Sequence, residues 1–245
     1  MSRLLIALTA GFLIAVPAIA QDAAELLRDA DAFRLPDASV RVVTNVRLFR
    51  NDTLDKERTY AVYVKPGRKS LVISRHPSEQ GQKILMLDER FWIILPGSRL
   101  PVRITPMQKL LGEAATGDVA SMTWSDGYTG KVIGNETVNG VPCIHLTLAA
   151  QDAGVSYQRV ELYVAEQGHW PVRADLYVIS GKLAKQAFFT LGEVDGRKRV
   201  NAMTLVDAIQ PHRKTEVQYQ SFTNMDIPDK VYNPAYLVRT DLGDW

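Results

Sequence analysis

Apolar and polar residues alternate with a period of two through most of this chain, and that rhythm constrains the fold more than any other feature. Val40, Val42, Val46 and Leu48 alternate with polar residues, Thr44 interrupts them, and Asn51-Asp52-Thr53 marks a turn. Tyr60, Val62 and Val64 repeat the pattern up to Pro66-Gly67. Short strands are predicted at Leu71–Ser74, Lys83–Leu87 and Phe91–Leu95, separated by Gln80-Gly81 and Asp88-Glu89-Arg90. Strands resume at Tyr128–Glu136 and Val141–Ala149, joined by Asn139-Gly140, the strongest short hairpin signal in the chain. Val155–Val164, Val172–Ile179, Leu183–Gly192, Arg199–Ala208 and Thr215–Thr223 complete the series.

Several of these strands are apolar on one side only. Ile144, Leu146 and Leu148 share a face opposite Cys143, His145 and Thr147. Val160, Leu162 and Val164 oppose Arg159, Glu161 and Tyr163, and Val172, Ala174, Leu176 and Val178 oppose Arg173, Asp175 and Tyr177. One face then meets water and the other meets something apolar. Helical spacing is confined to Ala23–Phe33, with Ala23, Leu26, Leu27, Ala30 and Phe33 on one side, and to a short candidate at Thr105–Leu111. Residues 112–122 read as an irregular segment or helix–loop. The chain is thus mainly β, with ten or more antiparallel strands in one large curved sheet or barrel, and a single domain over residues 21–245. A sandwich of two half-sheets would fill the interior. A curved sheet with one or two helices across its opening would leave an apolar cavity. The pattern alone is compatible with both.

The amino terminus carries an address. Met1-Ser2-Arg3 is a short basic start, Leu4–Val16 is apolar apart from Thr9 and Gly11, and Ala18 and Ala20 form the A-x-A arrangement of a cleavable secretory signal. Cleavage is expected before Gln21, because the apolar stretch is shorter than the roughly 20 residues that span a bilayer. Gln21 stands where a bacterial lipoprotein would carry its cysteine, so lipidation is not expected. Asn51-Asp52-Thr53 and Asn135-Glu136-Thr137 would be glycosylation sequons on a eukaryotic secretory route.

Charge and composition exclude other classes. Lys and Arg total 29 against 27 Asp and Glu, a net charge of +2, which falls to +1 once Arg3 is removed. A general nucleic-acid binder needs a basic surplus that is missing here. Cys143 is the only cysteine, so there is no intramolecular disulfide, no CxxC pair and no cysteine zinc cluster. His76, His145, His169 and His212 are scattered without metal-ligand spacing. No G-x-S-x-G elbow or phosphate loop occurs, and hydrolase chemistry would have to be assembled from distant strands. No cofactor or metal is expected. Gly196–Arg199 and His212–Lys214 are small basic clusters that read as solvated turns or as contacts for anionic headgroups.

Met86–Arg99 (MLDERFWIILPGSR), then Gln108–Gly112 and Gly117-Asp118-Val119, resemble the outer-membrane lipoprotein-sorting proteins, the LolA-like group that shares the LolA/LolB/RseB fold. Trp170-Pro171-Val172, Leu176-Tyr177, Ser180–Leu183 and Asn233–Leu237 are similar to later motifs of that family in the same order. The resemblance implies an incomplete, roughly eleven-stranded antiparallel barrel with a few helices in its concave side, located in the periplasm. It also implies a carrier that shelters acyl chains, working by burial and not by catalysis.

On that reading the cavity wall is expected to include Tyr60, Val62, Val64, Trp92 and Ile94, with Leu162, Leu176 and Val178 opposite, and Met107, Leu110 and Leu111 as a helical lid. Ordinary core needs the same side chains, and for any single residue it is the commoner use of them. The expected partners are a lipid or the acyl chains of a lipoprotein, with an inner-membrane exporter or outer-membrane acceptor, and no nucleic acid; a monomer is expected. The competing function is a periplasmic sensor, or an accessory module of a membrane exporter, built on the same fold.

Overall fold

The computed structural model describes residues 22–109, 119–194 and 196–242. The predicted signal segment, Leu110, Leu111 and most of residues 112–122 lie outside them. One antiparallel sheet of thirteen strands dominates the described residues: β1 (Val40–Arg50), β2 (Thr53–Lys65), β3 (Lys69–Ser74), β4 (Lys83–Leu87), β5 (Arg90–Ile94), β6 (Val102–Ile104), β7 (Tyr128–Val138), β8 (Val141–Ala150), β9 (Arg159–Ala165), β10 (Pro171–Tyr177), β11 (Leu183–Val194), β12 (Arg197–Asp207) and β13 (Arg213–Asn224). Its order is β6-β5-β4-β3-β2-β1-β13-β12-β11-β10-β9-β8-β7. Sequence neighbours pair throughout, with two exceptions. β1 and β13 join the ends of the chain in the middle of the sheet, and β6 and β7 are its two edges. The sheet is therefore not closed into a barrel. It has two strands more than the eleven that the family resemblance implies. The three-residue β6, which carries no readable period, is the strand that the sequence pattern misses.

Turn chemistry sets the pairing. Asn51 and Asp52 both take positive φ (49° and 59°) between β1 and β2, and Asn139 and Gly140 do so (50° and 81°) between β7 and β8, the backbone that a tight hairpin requires. Helix α1 (Ala23–Ala32) starts at Asp22, whose carboxylate accepts from the Ala24 amide. Leu26, Leu27 and Ala30 on its apolar side are buried with Leu146, Leu148, Val160, Leu162, Ala174, Leu176 and Val217 of the sheet. Gly130 of β7 permits this approach. A Cβ there would stand 3.1 Å from Leu148 and 3.3 Å from Leu27. The sheet thus curls around α1, and the inner faces read for β8 and β9 are the observed ones.

Val172 is a correction. A bulge between Pro171 and Arg173 inserts it as an extra residue in β10, so it packs outward with Cys143, Val138 and Tyr163 instead of inward with Ala174 and Leu176. The outer face of β2–β5 is covered by the carboxy-terminal segment, whose Ile227, Val231, Tyr232 and Leu237 bury Ala61, Tyr63, Leu71, Ile73, Leu85 and Ile94. Among the described residues, α2 (Pro106–Lys109) and α3 (Trp124–Gly127) lie on the connection from β6 to β7, where residues 119–121 are also helical, and α4 (Pro234–Arg239) closes the carboxy-terminal segment.

Candidate functional site

Where α1 leaves the inner face uncovered, over β13, β1, β2, β3 and β4, a cavity of about 420 Å³ remains. Its floor is built in register. Phe222, Val42, Val62, Val72 and Ile84 are consecutive partners across those five strands, forming one apolar rung. Val64, Ser70 and Met86 form the next rung on one side. On the other side lie Tyr219, Thr44 and Tyr60, followed by the Val46–Val217 pair. A bulge puts Tyr219 there. The β1–β13 register steps from Val43 opposite Ser221 to Thr44 opposite Tyr219, so Gln220 is the extra residue and the inward phase shifts by one.

The wall across from this floor comes from the end of α1 and from residues 120–126. Arg34 donates from Nη2 to the carbonyls of Val119 (3.3 Å) and Met122 (2.7 Å), and its guanidinium stacks 3.9 Å from the Trp124 ring centroid. Asp31, which is 5% exposed, accepts from the amides of Trp124 (3.2 Å) and Ser125 (2.8 Å) and from the Ser125 hydroxyl (2.9 Å). Together they fasten α1 to the start of α3. Burial raises the carboxyl pKa of Asp31 against the opposing pull of Arg34, and burial likewise raises the Tyr219 phenol. Burial pushes the Arg34 guanidinium below its usual value, opposed by Asp31 and Tyr219. The exposed Arg28, Asp37, Pro66 and Gly67 mark where the cavity meets solvent. Three basic residues at that rim are already paired: Lys65 with Asp229 at 2.9 Å, Lys69 with Asp229 at 3.3 Å, and Arg68 with Glu89.

The expected wall residues separate into groups. Tyr60, Val62 and Val64 line the cavity. Leu162 and Leu176 are fully buried beneath α1, and Val178 packs at the edge of the same core. Trp92 and Ile94 face outward under the carboxy-terminal segment, while their neighbours Phe91 and Ile93 face inward with Met86. β5 is apolar on both faces, so its alternation carries no phase. Met107 falls in α2, and Leu110 and Leu111 lie outside the described residues. Arg34, Asp31 and Tyr219 escaped sequence reading, because a long-range contact or a bulge places each of them, whereas Thr44 stands where the Val42–Val46 alternation puts it. His145 is a half-buried outer-face residue, stacked 4.5 Å from Tyr163 and bonded to Glu161 at 2.9 Å.

Comparisons with known proteins agree with the fold. Residues 66–239 match the model of a family described as "Uncharacterized protein". A LolA superfamily protein from Nitrosomonas europaea is 29% identical with a TM-score of 0.78, covering 89% of this chain and 100% of its own. This chain has the LolA-like fold. A DUF1329 family protein from Desulfovibrio piger shares the fold at 21% identity and a TM-score of 0.71, over 87% of this LolA-like chain and 95% of its own. So does a domain from Vibrio parahaemolyticus named for outer membrane lipoprotein sorting, at 17% identity and 0.73, over 88% and 98%. No curated protein matches the sequence significantly.

Proposed function

We propose that this LolA-like protein is a periplasmic carrier that shelters a lipid, or an acyl chain of a lipoprotein, during transfer to the outer membrane. The observation that carries this reading is the in-register apolar rung along an open cavity of about 420 Å³. If a methylene takes about the volume of a liquid water, roughly 30 Å³, that space holds one chain of about fourteen carbons. At about 25 cal/mol per Å², burying a few hundred Å² of such a chain stabilises the complex by several kcal/mol without any chemical step. Likeness to a LolA superfamily protein supports the reading, and so does a cavity lining that presents many apolar side chains and few free polar groups.

The test is native mass spectrometry of the mature protein from a bacterial periplasm, followed by extraction of whatever is bound. A discrete added mass resolving to a lipid or acylated peptide is expected. Apo protein that also fails to take up an apolar dye sinks the carrier. The competing reading, an accessory module of a membrane exporter, draws on the hairpin from β5 to β6. Leu95, Leu100 and Val102 there are 47%, 73% and 54% exposed beside Arg99 and Arg103, at an open sheet edge. Crosslinking through that hairpin would find its partner.

A further inference from the structure

The cavity is not uniformly apolar, and its polar part is concentrated. The Tyr219–Thr44–Tyr60 rung lies between two apolar rungs, and Arg34 lines the same cavity. Thr44 is 5% exposed and its hydroxyl makes no hydrogen bond. Arg34 Nη1 is buried and likewise unpartnered, although Nη2 is fully used on the carbonyls of Val119 and Met122. A buried polar atom left unpaired is destabilising, so such atoms call for an explanation where they occur, and two in one cavity call for a common one.

The chemistry of the group narrows what would satisfy it. A guanidinium only donates, and the hydroxyls of Thr44 and Tyr219 can both donate, so the ligand must supply acceptors and favour a positive charge. Asp31 is not the missing partner: its oxygens are occupied by Trp124 and Ser125, and among the described residues Arg34 forms no ion pair. Lys65, Lys69 and Arg68 at the rim are engaged with Asp229 and Glu89, so among the described residues the lining cations without an ion pair are the exposed Arg28 at the mouth and Arg34 inside, and Arg34 is the one beside the Tyr219–Thr44 rung. A carboxylate fits this set, because charge-assisted bonds to a guanidinium are short, strong and geometrically matched.

We propose that Arg34, Tyr219 and Thr44 form an internal headgroup site for a single-chain carboxylic acid. Its carboxylate is held by Arg34 and its chain lies along the Val42–Val62–Val72–Ile84 rung. The chain end of this proposal rests on the carrier reading; the headgroup end stands on the unpaired donors. Space along the floor for one chain of about fourteen carbons favours one acyl chain over several.

The experiment is displacement of phenylnaphthylamine, a neutral apolar dye, from the full mature protein by myristic acid and by its methyl ester. The two share a chain and differ at the head. Myristic acid is expected to displace the dye at a concentration about tenfold lower than the ester, the equivalent of one charge-assisted hydrogen bond. Tyr219→Phe and Thr44→Val each reduce the acid's advantage several-fold and leave the ester unchanged. Both changes spare the contacts that Arg34 makes to residues 119 and 122. Arg34→Gln abolishes the preference, and its circular dichroism is recorded beside it because Arg34 also braces the wall. The paired variant Lys65→Ala/Lys69→Ala keeps the preference.

Equal displacement by acid and ester overturns the headgroup site while leaving the carrier intact. Loss of the preference in the Lys65/Lys69 variant overturns it too, by moving the head to the rim. Failure of the protein to bind dye, acid or ester overturns both the site and the carrier.

Discussion

Asp31 is the residue whose removal tests the cavity wall most directly. Its carboxylate caps the start of α3, and Asp31→Ala leaves the buried amides of Trp124 and Ser125 without their acceptor. An unsatisfied buried donor costs about 1–3 kcal/mol, and Ser125 is half-buried, so water replaces part of its bond. Loss of an N-terminal cap costs about 0.5–2 kcal/mol by a separate measure. The two ranges overlap at about 1–2 kcal/mol, which lowers Tm by roughly 2–8 °C for a chain of this size. Asp31→Asn keeps one acceptor and carries no charge. Because the folded carboxyl titrates above the ordinary 3.8, the stability it contributes is complete below that value and is lost as pH rises through its raised folded value. The asparagine variant has no such loss, so its penalty relative to wild type shrinks from pH 4 to pH 7. Urea unfolding at both pH values, with m-values compared, measures this. An alanine variant within about 0.5 kcal/mol of wild type refutes the capping argument. An asparagine penalty that grows towards pH 7 refutes the assignment of burial as the dominant cause.

Leu162→Ala and Leu176→Ala each cost about 2–5 kcal/mol in chemical denaturation, and at a temperature where the variants are folded they leave dye affinity unchanged, because both side chains lie in the core beneath α1. Val62→Trp does the reverse: it places an indole in the middle of the rung, abolishes dye uptake and costs only about 1 kcal/mol, since the cavity takes up the added volume. Trp124→Ala removes a ring that is 1% exposed, edge-on to Phe189 at 5.8 Å and beneath Arg34, and lowers stability by about 3–5 kcal/mol. Tyr232→Phe loses the hydroxyl's bond to the Tyr63 carbonyl (3.3 Å), about 0.5–1.5 kcal/mol at neutral pH. Burial raises that phenol above 10.0, so wild type loses the contribution as pH climbs past 10 and the two proteins converge in alkaline unfolding curves.

The strand pattern was legible wherever one face meets water. β8 and β9 alternate cleanly, and their inner faces are those read from the sequence. Reading failed where pairing, not periodicity, decides. Residues 53–59 are mostly polar or charged and carry no apolar rhythm, yet they extend β2 because β1 pairs with them, Arg47 standing opposite Glu57 and Leu48 opposite Lys56. In β10 a bulge reverses Val172, and no residue in Trp170-Pro171-Val172 announces it. In β5 the run Phe91–Ile94 is buried on both faces, inward against Met86 and outward against the carboxy-terminal segment. A strand covered twice loses the contrast that fixes its phase, which is how Trp92 and Ile94 came to be expected in the cavity.

The cavity itself is a harder thing to read from a sequence, because it is defined by what fails to cover an apolar face. Val62 and Leu162 are both apolar residues on inner faces of strands, and nothing local separates them. The difference lies in α1, which is ten residues long and covers β8–β12 but runs out before the β1–β4 region. Helix length against sheet width is therefore the quantity that decides core from cavity: at 1.5 Å per residue α1 spans about 15 Å, whereas thirteen strands at about 4.8 Å cover some 60 Å. A sheet that wide, with so little helix to cover it, leaves inner face uncovered. Its polar lining follows from the same geometry. Arg34 and Asp31 sit at the end of the helix, where the cover stops, and there they meet residues 119–125, some ninety positions away in sequence. Apolar alternation can predict that a face exists, and it places Thr44 on it, but Arg34 and Asp31 reach the cavity through contacts that no window of sequence contains.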